Sequence, residues 1–481
     1  MTNGREPQAP ARTGRTKRRL LFNASSLAVG GLLAQACMVL VEAVIARRLG
    51  QVDYGVFSTA YAFGLIGMFV IEAGMGWKLI QDGSRDDRSM PSLLGTTLVL
   101  RTLLAIIVFP LMIAGFHLLA PGPGMSAFFA VLFAYVFLMT VQSAFGAVYS
   151  ARQSMHVNAM FQAATPILIL VLVWTAATGD LTLRSVAISY VAGSLVVSGI
   201  WAWTTFRLVR PVVQIRRGWQ ILRESYLYAI TGLLLHFSLR LELFMLSIFR
   251  PMAEVGLFAA ADKLTDLGLK VAVMGSRVVA PVLFEQSHRE SEIFRHSCRR
   301  VMRASAVLGV AAALALSLTA TWIVPLIFGP QFAMAGTILS ILAVSLGLRF
   351  MAQAAQIVLT ANDRHLRRTV AQASGVGAAG AANLALIPGF GTLGAACGRL
   401  AGDLVQMTLL LTSRGLPVGR LQALMWLLVP SLIGGALYWA LAQVEIAPVL
   451  ELAAGLVLYA LLLLLTGSVR IRELRELARM T

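Results

Sequence analysis

The sequence predicts an all-α polytopic membrane protein of about fourteen transmembrane helices, arranged as two pseudo-symmetric six-helix lobes plus two C-terminal helices. Three observations carry that prediction. Hydrophobic residues make up 58% of the 481 and charged residues only 13%, whereas soluble chains carry about 25% charged residues. The apolar residues fall in blocks long enough to cross a bilayer, which takes about 20 residues as a helix. Short motifs also recur at an offset of roughly two hundred residues, the mark of an internal repeat. So little charge excludes a soluble enzyme, a disordered chain and a secreted disulfide scaffold.

Apolar runs between charged breaks place the spans at approximately 22–46, 56–77, 93–119, 127–150, 160–178, 185–206, 226–249, 257–284, 301–324, 333–360, 369–387, 393–411, 421–442 and 449–467. The first follows a basic N-terminus (Arg12, Arg15, Lys17, Arg18, Arg19). It is too long for a signal-peptide core and lacks a small-residue cleavage site, so it reads as a membrane helix. The eighth is rich in charge and the eleventh in glycine. The expected organisation is a basic N-terminus at 1–21, a first lobe at 22–206, a basic connector at 207–225 and a second lobe at 226–411. Two more helices at 421–467 and a tail at 468–481 complete it.

An even number of spans puts both termini on one side. With that side cytoplasmic, the inner segments hold 28 Lys and Arg and the outer loops hold 4. This is the positive-inside bias that sets orientation. The net charge of +18 and the pI of about 10.9 therefore report topology and contact with an anionic leaflet, and nucleic acid is not expected as a partner. The bilayer is. The stretch Arg470–Arg479 reads either as a short helix at the lipid surface or as a solvated tail. Cys37, Cys298 and Cys397 are widely separated, and the histidines show no ligand spacing. Neither a metal, a disulfide nor any cofactor is expected.

The repeat rests on two matches. Asp53–Ala60 (DYGVFSTA) resembles Glu254–Ala261 (EVGLFAAA), aligning Gly55 with Gly256 and Phe57 with Phe258. Farther on, Phe109-Pro-Leu-Met112 resembles Val324-Pro-Leu-Ile327. A six-helix unit inserts twice in one orientation, so the halves should be related by an axis along the membrane normal, as in transporters with a central cleft.

Charges inside the spans are costly, about 2.5–3.5 kcal/mol each at a helix centre on insertion scales, so they should face water or a partner. The candidate cations are Arg240, Lys263, Lys270, Arg277, Arg349 and Arg399, and the candidate carboxylates are Glu42, Glu72, Glu242, Asp262, Asp266 and Asp403. Lys263, Asp266, Lys270 and Arg277 recur at steps of three, four and seven on one face of the eighth span. That face runs about 21 Å. A one-sided polar stripe cannot face lipid, so it should line a wet cleft with a positive excess that suits a phosphate or pyrophosphate. The plainer reading is a set of internal ion pairs, such as Asp266 with Lys270 and Arg399 with Asp403. Arg349, Gln353 and Gln356 form a weaker stripe on the tenth span. Arg101, about 12 Å into the third span from its cytoplasmic end, is within snorkelling reach, and a structural use is expected of it.

Four stretches resemble the oligosaccharide flippase (polysaccharide-biosynthesis exporter) family of the multidrug/oligosaccharidyl-lipid/polysaccharide superfamily. They are Ala46–Phe57 (ARRLGQVDYGVF), Glu254–Leu264 (EVGLFAAADKL), Ile327–Phe332 (IFGPQF) and Asn383–Ala396 (NLALIPGFGTLGAA). The resemblance implies a fold like the multidrug and toxin extrusion transporters, not an enzyme, working by alternating access in the bacterial inner membrane. It implies an oligosaccharide on undecaprenyl pyrophosphate as substrate, polysaccharide polymerase machinery as a partner, and a proton or sodium gradient coupled through one of the carboxylates. A cation antiporter on the same fold, a lipid II flippase and a non-transporting scaffold are the alternatives.

Overall fold

In hydrocarbon every backbone N–H and C=O must be satisfied within the chain, and an apolar run of this composition meets that condition as a helix. The computed structural model describes residues 14–120, 122–287, 292–413, 416, 419–444 and 447–466; within the helices defined next, the side chains of 14–28, 227, 228, 230–236, 238, 277, 278, 281 and 420 are not described. The expected surface helix at 470–479 lies outside these residues. Among them the regular structure is helical throughout: α1 (Gly14–Glu72), α2 (Met75–Arg85), α3 (Met90–Leu119), α4 (Met125–Ala151), α5 (Met155–Ala176), α6 (Leu183–Leu208), α7 (Ile215–Phe249), α8 (Met252–Ser287), α9 (Glu292–Phe328), α10 (Ala335–Ala361), α11 (His365–Thr412), α12 (Arg420–Leu441) and α13 (Pro448–Leu465), with two short 3₁₀ turns.

Ten of these helices are long and apolar enough to cross a membrane. Two of the ten carry two spans each. α1 turns at Gly50 (φ 77°, ψ −177°) and α11 at Gly391 (φ 57°, ψ −128°), positions where only glycine escapes a steric penalty. The charged α7 and α8 complete the fourteen segments. Short α2 follows the second span as an amphipathic helix of 11 residues, about three turns, beyond the glycine at 74. The basic connector is not all loop. Only 209–214 is non-helical; 207–208 end α6, and 215–225 form the first turns of α7.

α1 packs on α5, and α4 on α3 and α6, to form the first lobe; α9 packs on α8 and α10, and α11 on α7 and α10, to form the second. α12 and α13 lie against α9. Without a hydrophobic drive between helices in lipid, close approach at small residues supplies the contact energy. Thus α9 and α10 meet at Gly309 and Gly347, where a Cβ on Gly309 would lie 2.6 Å from the Gly347 carbonyl oxygen. Aromatic stacks fill the first lobe, with Phe116 on Phe129 at 4.6 Å and Phe161 on Trp201 at 4.8 Å between centroids.

The repeat is visible in three dimensions. Pro110 lies inside α3 and Pro325 inside α9. Gly55 and Gly256 face one another across the lobe boundary, each leaving no room for a side chain against the backbone around the other.

Candidate functional site

The intramembrane charges converge where α1, α7, α8, α10 and α11 meet. Successive carboxylates on α8, Asp262 and Asp266, sit four residues apart and share one face. Arg240 of α7 reaches both, donating from Nη1 to Asp262 Oδ2 at 3.2 Å and from Nη2 to Asp266 Oδ2 at 3.1 Å. Arg399 of α11 donates to the other oxygen of Asp262, and to Glu242 Oε2 of α7 at 3.0 Å. Its guanidinium also lies 5.3 Å from the Phe258 ring centroid, a cation–π distance. The side chains of Arg399, Glu242 and Asp262 are each only 3% exposed, so these pairs act with little screening.

Lys263 points the other way, across the lobe boundary. It is paired with Glu42 Oε1 of α1, whose second oxygen accepts from the Tyr54 hydroxyl at 3.0 Å. Arg349 of α10 donates to Asp403 Oδ2 of α11 at 2.9 Å, and Ser345 donates to the same oxygen. Lys270, farther along α8, donates to the side-chain oxygen of Gln35 on α1 and has no carboxylate partner among the described residues. The Arg277 side chain lies outside the described residues.

One expectation is corrected here. Among the described side chains the central group balances, with Arg240, Lys263, Lys270, Arg349 and Arg399 beside Glu42, Glu242, Asp262, Asp266 and Asp403; Arg277, part of the expected excess on α8, lies outside them. Ion pairing does account for most of the stripe, but between helices. Arg240 takes Asp266 where Lys270 was expected, and Arg349 takes Asp403 where Arg399 was expected. A neighbouring helix presents its charge at shorter range than the next turn of the same helix.

Arg101 is wholly buried and takes a structural place without snorkelling. Nη2 lies 3.4 Å from Glu72 Oε1, while Nη1 donates to Ser143 Oγ at 2.8 Å and to the Thr140 carbonyl. Ser143 in turn donates to Glu72 at 3.2 Å. Glu72 is thus held in the first lobe, away from the central cluster.

Beside the cluster lies a cavity of about 550 Å³. Its wall is mostly first lobe, and it includes Glu72, Gln142, Asn158, Gln162 and Trp201, with Lys270 from the second lobe. The polar amides were not anticipated from the sequence. A signal existed, because Asn158, Gln162 and Thr165 recur at steps of four and three on one face of α5. The wall belongs to the half of the molecule that holds the Trp77, Ser150 and Trp201 ends of their helices. At the opposite end the lobes are joined. Arg47 donates to the carbonyls of Ile327 (2.8 Å) and Leu326, and Gln51 to that of Gln331.

A pair of pseudo-symmetric helical lobes, sealed at one end and hollow toward the other with charges locked across the seam, defines a two-lobed membrane transporter. The family model described as polysaccharide biosynthesis protein matches residues 20–287. The chain belongs to that family, and it is a membrane flippase or transporter. No curated protein matches it. Its fold is similar to that of the lipid II flippase MurJ in an inward closed conformation, with a TM-score of 0.75 and 11% identity over 90% of this chain and 97% of that one. An inward-facing multidrug resistance MATE family transporter of the MOP superfamily gives 0.64 and 16% over 86% and 96%. The Vibrio cholerae MATE transporter VcmN gives 0.57 and 16% over 81% and 94%.

Proposed function

We propose that this protein carries an oligosaccharide linked to undecaprenyl pyrophosphate from the cytoplasmic to the outer leaflet of the bacterial inner membrane, by alternating access, for polymerisation into a surface polysaccharide. The positive-inside bias orients the chain with both termini cytoplasmic. The joined end at Gly50 and Gly391 then faces outward, and the cavity belongs to the cytoplasmic half.

Lys270 is the observation that carries the reading. It is the one cation of the central group whose partner is a neutral amide, and it stands at the edge of the polar cavity between the lobes. Glu72, the carboxylate on the cavity wall, is already neutralised by Arg101. The hollow therefore offers a cation in direct contact with no carboxylate among the described residues, which suits a lipid pyrophosphate. A cation antiporter needs a carboxylate free of cations instead, and Glu42, Glu242, Asp262, Asp266 and Asp403 all lie in contact with one, Arg240 and Arg399 being shared among three of them. For outward turnover the Glu42–Lys263 pair, which bridges the lobes, has to open, and this makes Glu42 the carboxylate best placed to exchange a proton or sodium ion.

Deleting the gene should abolish surface polymer and accumulate lipid-linked precursor. Lys270→Ala should fail to restore polymer at normal protein level, while Lys270→Arg restores it. Intact polymer together with new drug sensitivity in the deletion strain would replace this reading with the antiporter.

A further inference from the structure

The charges and the hollow are divided unequally between the two halves. The second lobe contributes the ion-paired cluster, whereas the first supplies nearly all of the cavity wall. That wall is chemically distinct. Gln162 donates one N–H to Asn158 Oδ1 at 2.9 Å, and its remaining hydrogen-bonding capacity has no partner among the described residues. Asn158 is itself fixed by Ser150 Oγ at 3.1 Å. Gln142 is fixed by Ser194, Ser198 and Thr165. Trp201, on the same wall, is buried and stacked on Phe161, its indole N–H without a hydrogen-bond partner. The exposed amide on this wall is that of Gln162, and its open hydrogen-bonding capacity marks a place for a polar guest.

Fixed amides beside aromatic faces are the chemistry that holds a pyranose: amides and hydroxyls pair with its hydroxyl groups, and ring C–H faces pack on indole and phenol. Cavities of a few hundred Å³ with a few convergent polar groups are the usual dimensions of a small-molecule site. On the proposed function above, Lys270 takes the pyrophosphate. Among the described residues no second cation lines the wall to neutralise a sugar carboxylate. A buried unpaired carboxylate is strongly disfavoured.

We infer that the first-lobe cavity, with Gln142, Asn158, Gln162 and Trp201 on its wall, is a docking site for an uncharged sugar next to the lipid pyrophosphate, and that it selects neutral glycans over uronate-bearing ones. This rests on the flippase reading. Gly31 provides the test. It lines the cavity, and no atom lies within 4 Å of where its Cβ would be, so a large side chain fits there and fills the hollow.

The full-length protein, purified in detergent, is titrated by native mass spectrometry with three probes: undecaprenyl pyrophosphate, the same lipid bearing N-acetylglucosamine, and the same lipid bearing glucuronate. The neutral sugar should tighten binding roughly tenfold over the bare lipid, the scale of one or two hydrogen bonds, and glucuronate should add nothing. Gly31→Phe and Gln162→Ala should each erase the gain, and Gln162→Ala should leave the bare lipid's affinity unchanged. A gain that survives both variants, equal weakening of all three probes by Gln162→Ala, or an equal gain from glucuronate would overturn the docking site. If the wild-type protein binds none of the lipids, or Lys270→Ala leaves all three unchanged, it is the flippase reading itself that fails.

Discussion

Gly55 and Gly256, equivalent positions in the two halves of the sequence, hold the lobes together backbone against backbone. A methyl group on Gly55 would collide with the Met252 carbonyl, and one on Gly256 with the Gln51 carbonyl. The colliding partners, Gln51 and Met252, are themselves equivalents at the same offset of 201. The contact is reciprocal, as between subunits related by a two-fold axis.

Gly256→Ala should therefore loosen the joined end, at a cost of about 1–3 kcal/mol for the forced separation. In a cysteine-free background with cysteine at Ser58, an impermeant maleimide added from outside should label the Gly256→Ala protein and leave its parent unlabelled.

The Glu42–Lys263 pair bridges the lobes in a buried setting. Removing one member of such a pair strands the other, which typically costs about 3–5 kcal/mol, whereas replacing both is far milder. Glu42→Gln and Lys263→Met should each lower the melting temperature in detergent more than the double variant does. Additive losses would show that the two side chains do not depend on each other.

Asp262 accepts from two arginines on different helices, while Glu242 accepts from one. Asp262→Asn should thus destabilise more than Glu242→Gln, since it weakens two charged hydrogen bonds between helices where the other weakens one. Thermal melting of the two variants side by side checks the order.

Outside the membrane, Lys78 of α2 contacts Glu224 of α7 at 2.5 Å and Asp82 at 2.8 Å. The hydrogen bond from Lys78 holds the Glu224 carboxyl below the usual carboxylate range. Burial pulls the Lys78 ammonium down, but its two carboxylate partners outweigh that and raise it. A depressed carboxyl stabilises above its unfolded value and loses that contribution as pH falls through its folded value; a raised amine stabilises below its unfolded value and loses it as pH rises through its folded one. Hydrogen-exchange protection of α2 should accordingly hold from about pH 5 to pH 9, decline below about 4, and lose its acid dependence in Glu224→Gln.

The spans were legible because hydrophobic blocks bounded by charge leave few alternatives, and the repeat because Gly55 and Gly256 admit no other residue. The joins at Gly50 and Gly391 were legible only as breaks: one backbone dihedral decides whether a helix pair is written as two elements or one. The charged stripe on α8 was equally plain as a periodicity, but its partners were not. Arg240, Arg399 and Glu42 lie 22, 137 and 221 residues from the α8 groups they contact, and sequence spacing along one helix carries no trace of them. The amides of the cavity went unnoticed because uncharged side chains stand out less against an apolar helix than charged ones do.

The uneven distribution of charge and space has an evolutionary consequence. Two copies that began alike have specialised, one into a clamp stitched by arginines and the other into a vessel. A chimera carrying residues 14–208 twice would own two vessels and no clamp, so the ancestral duplication is no longer reversible by exchanging halves.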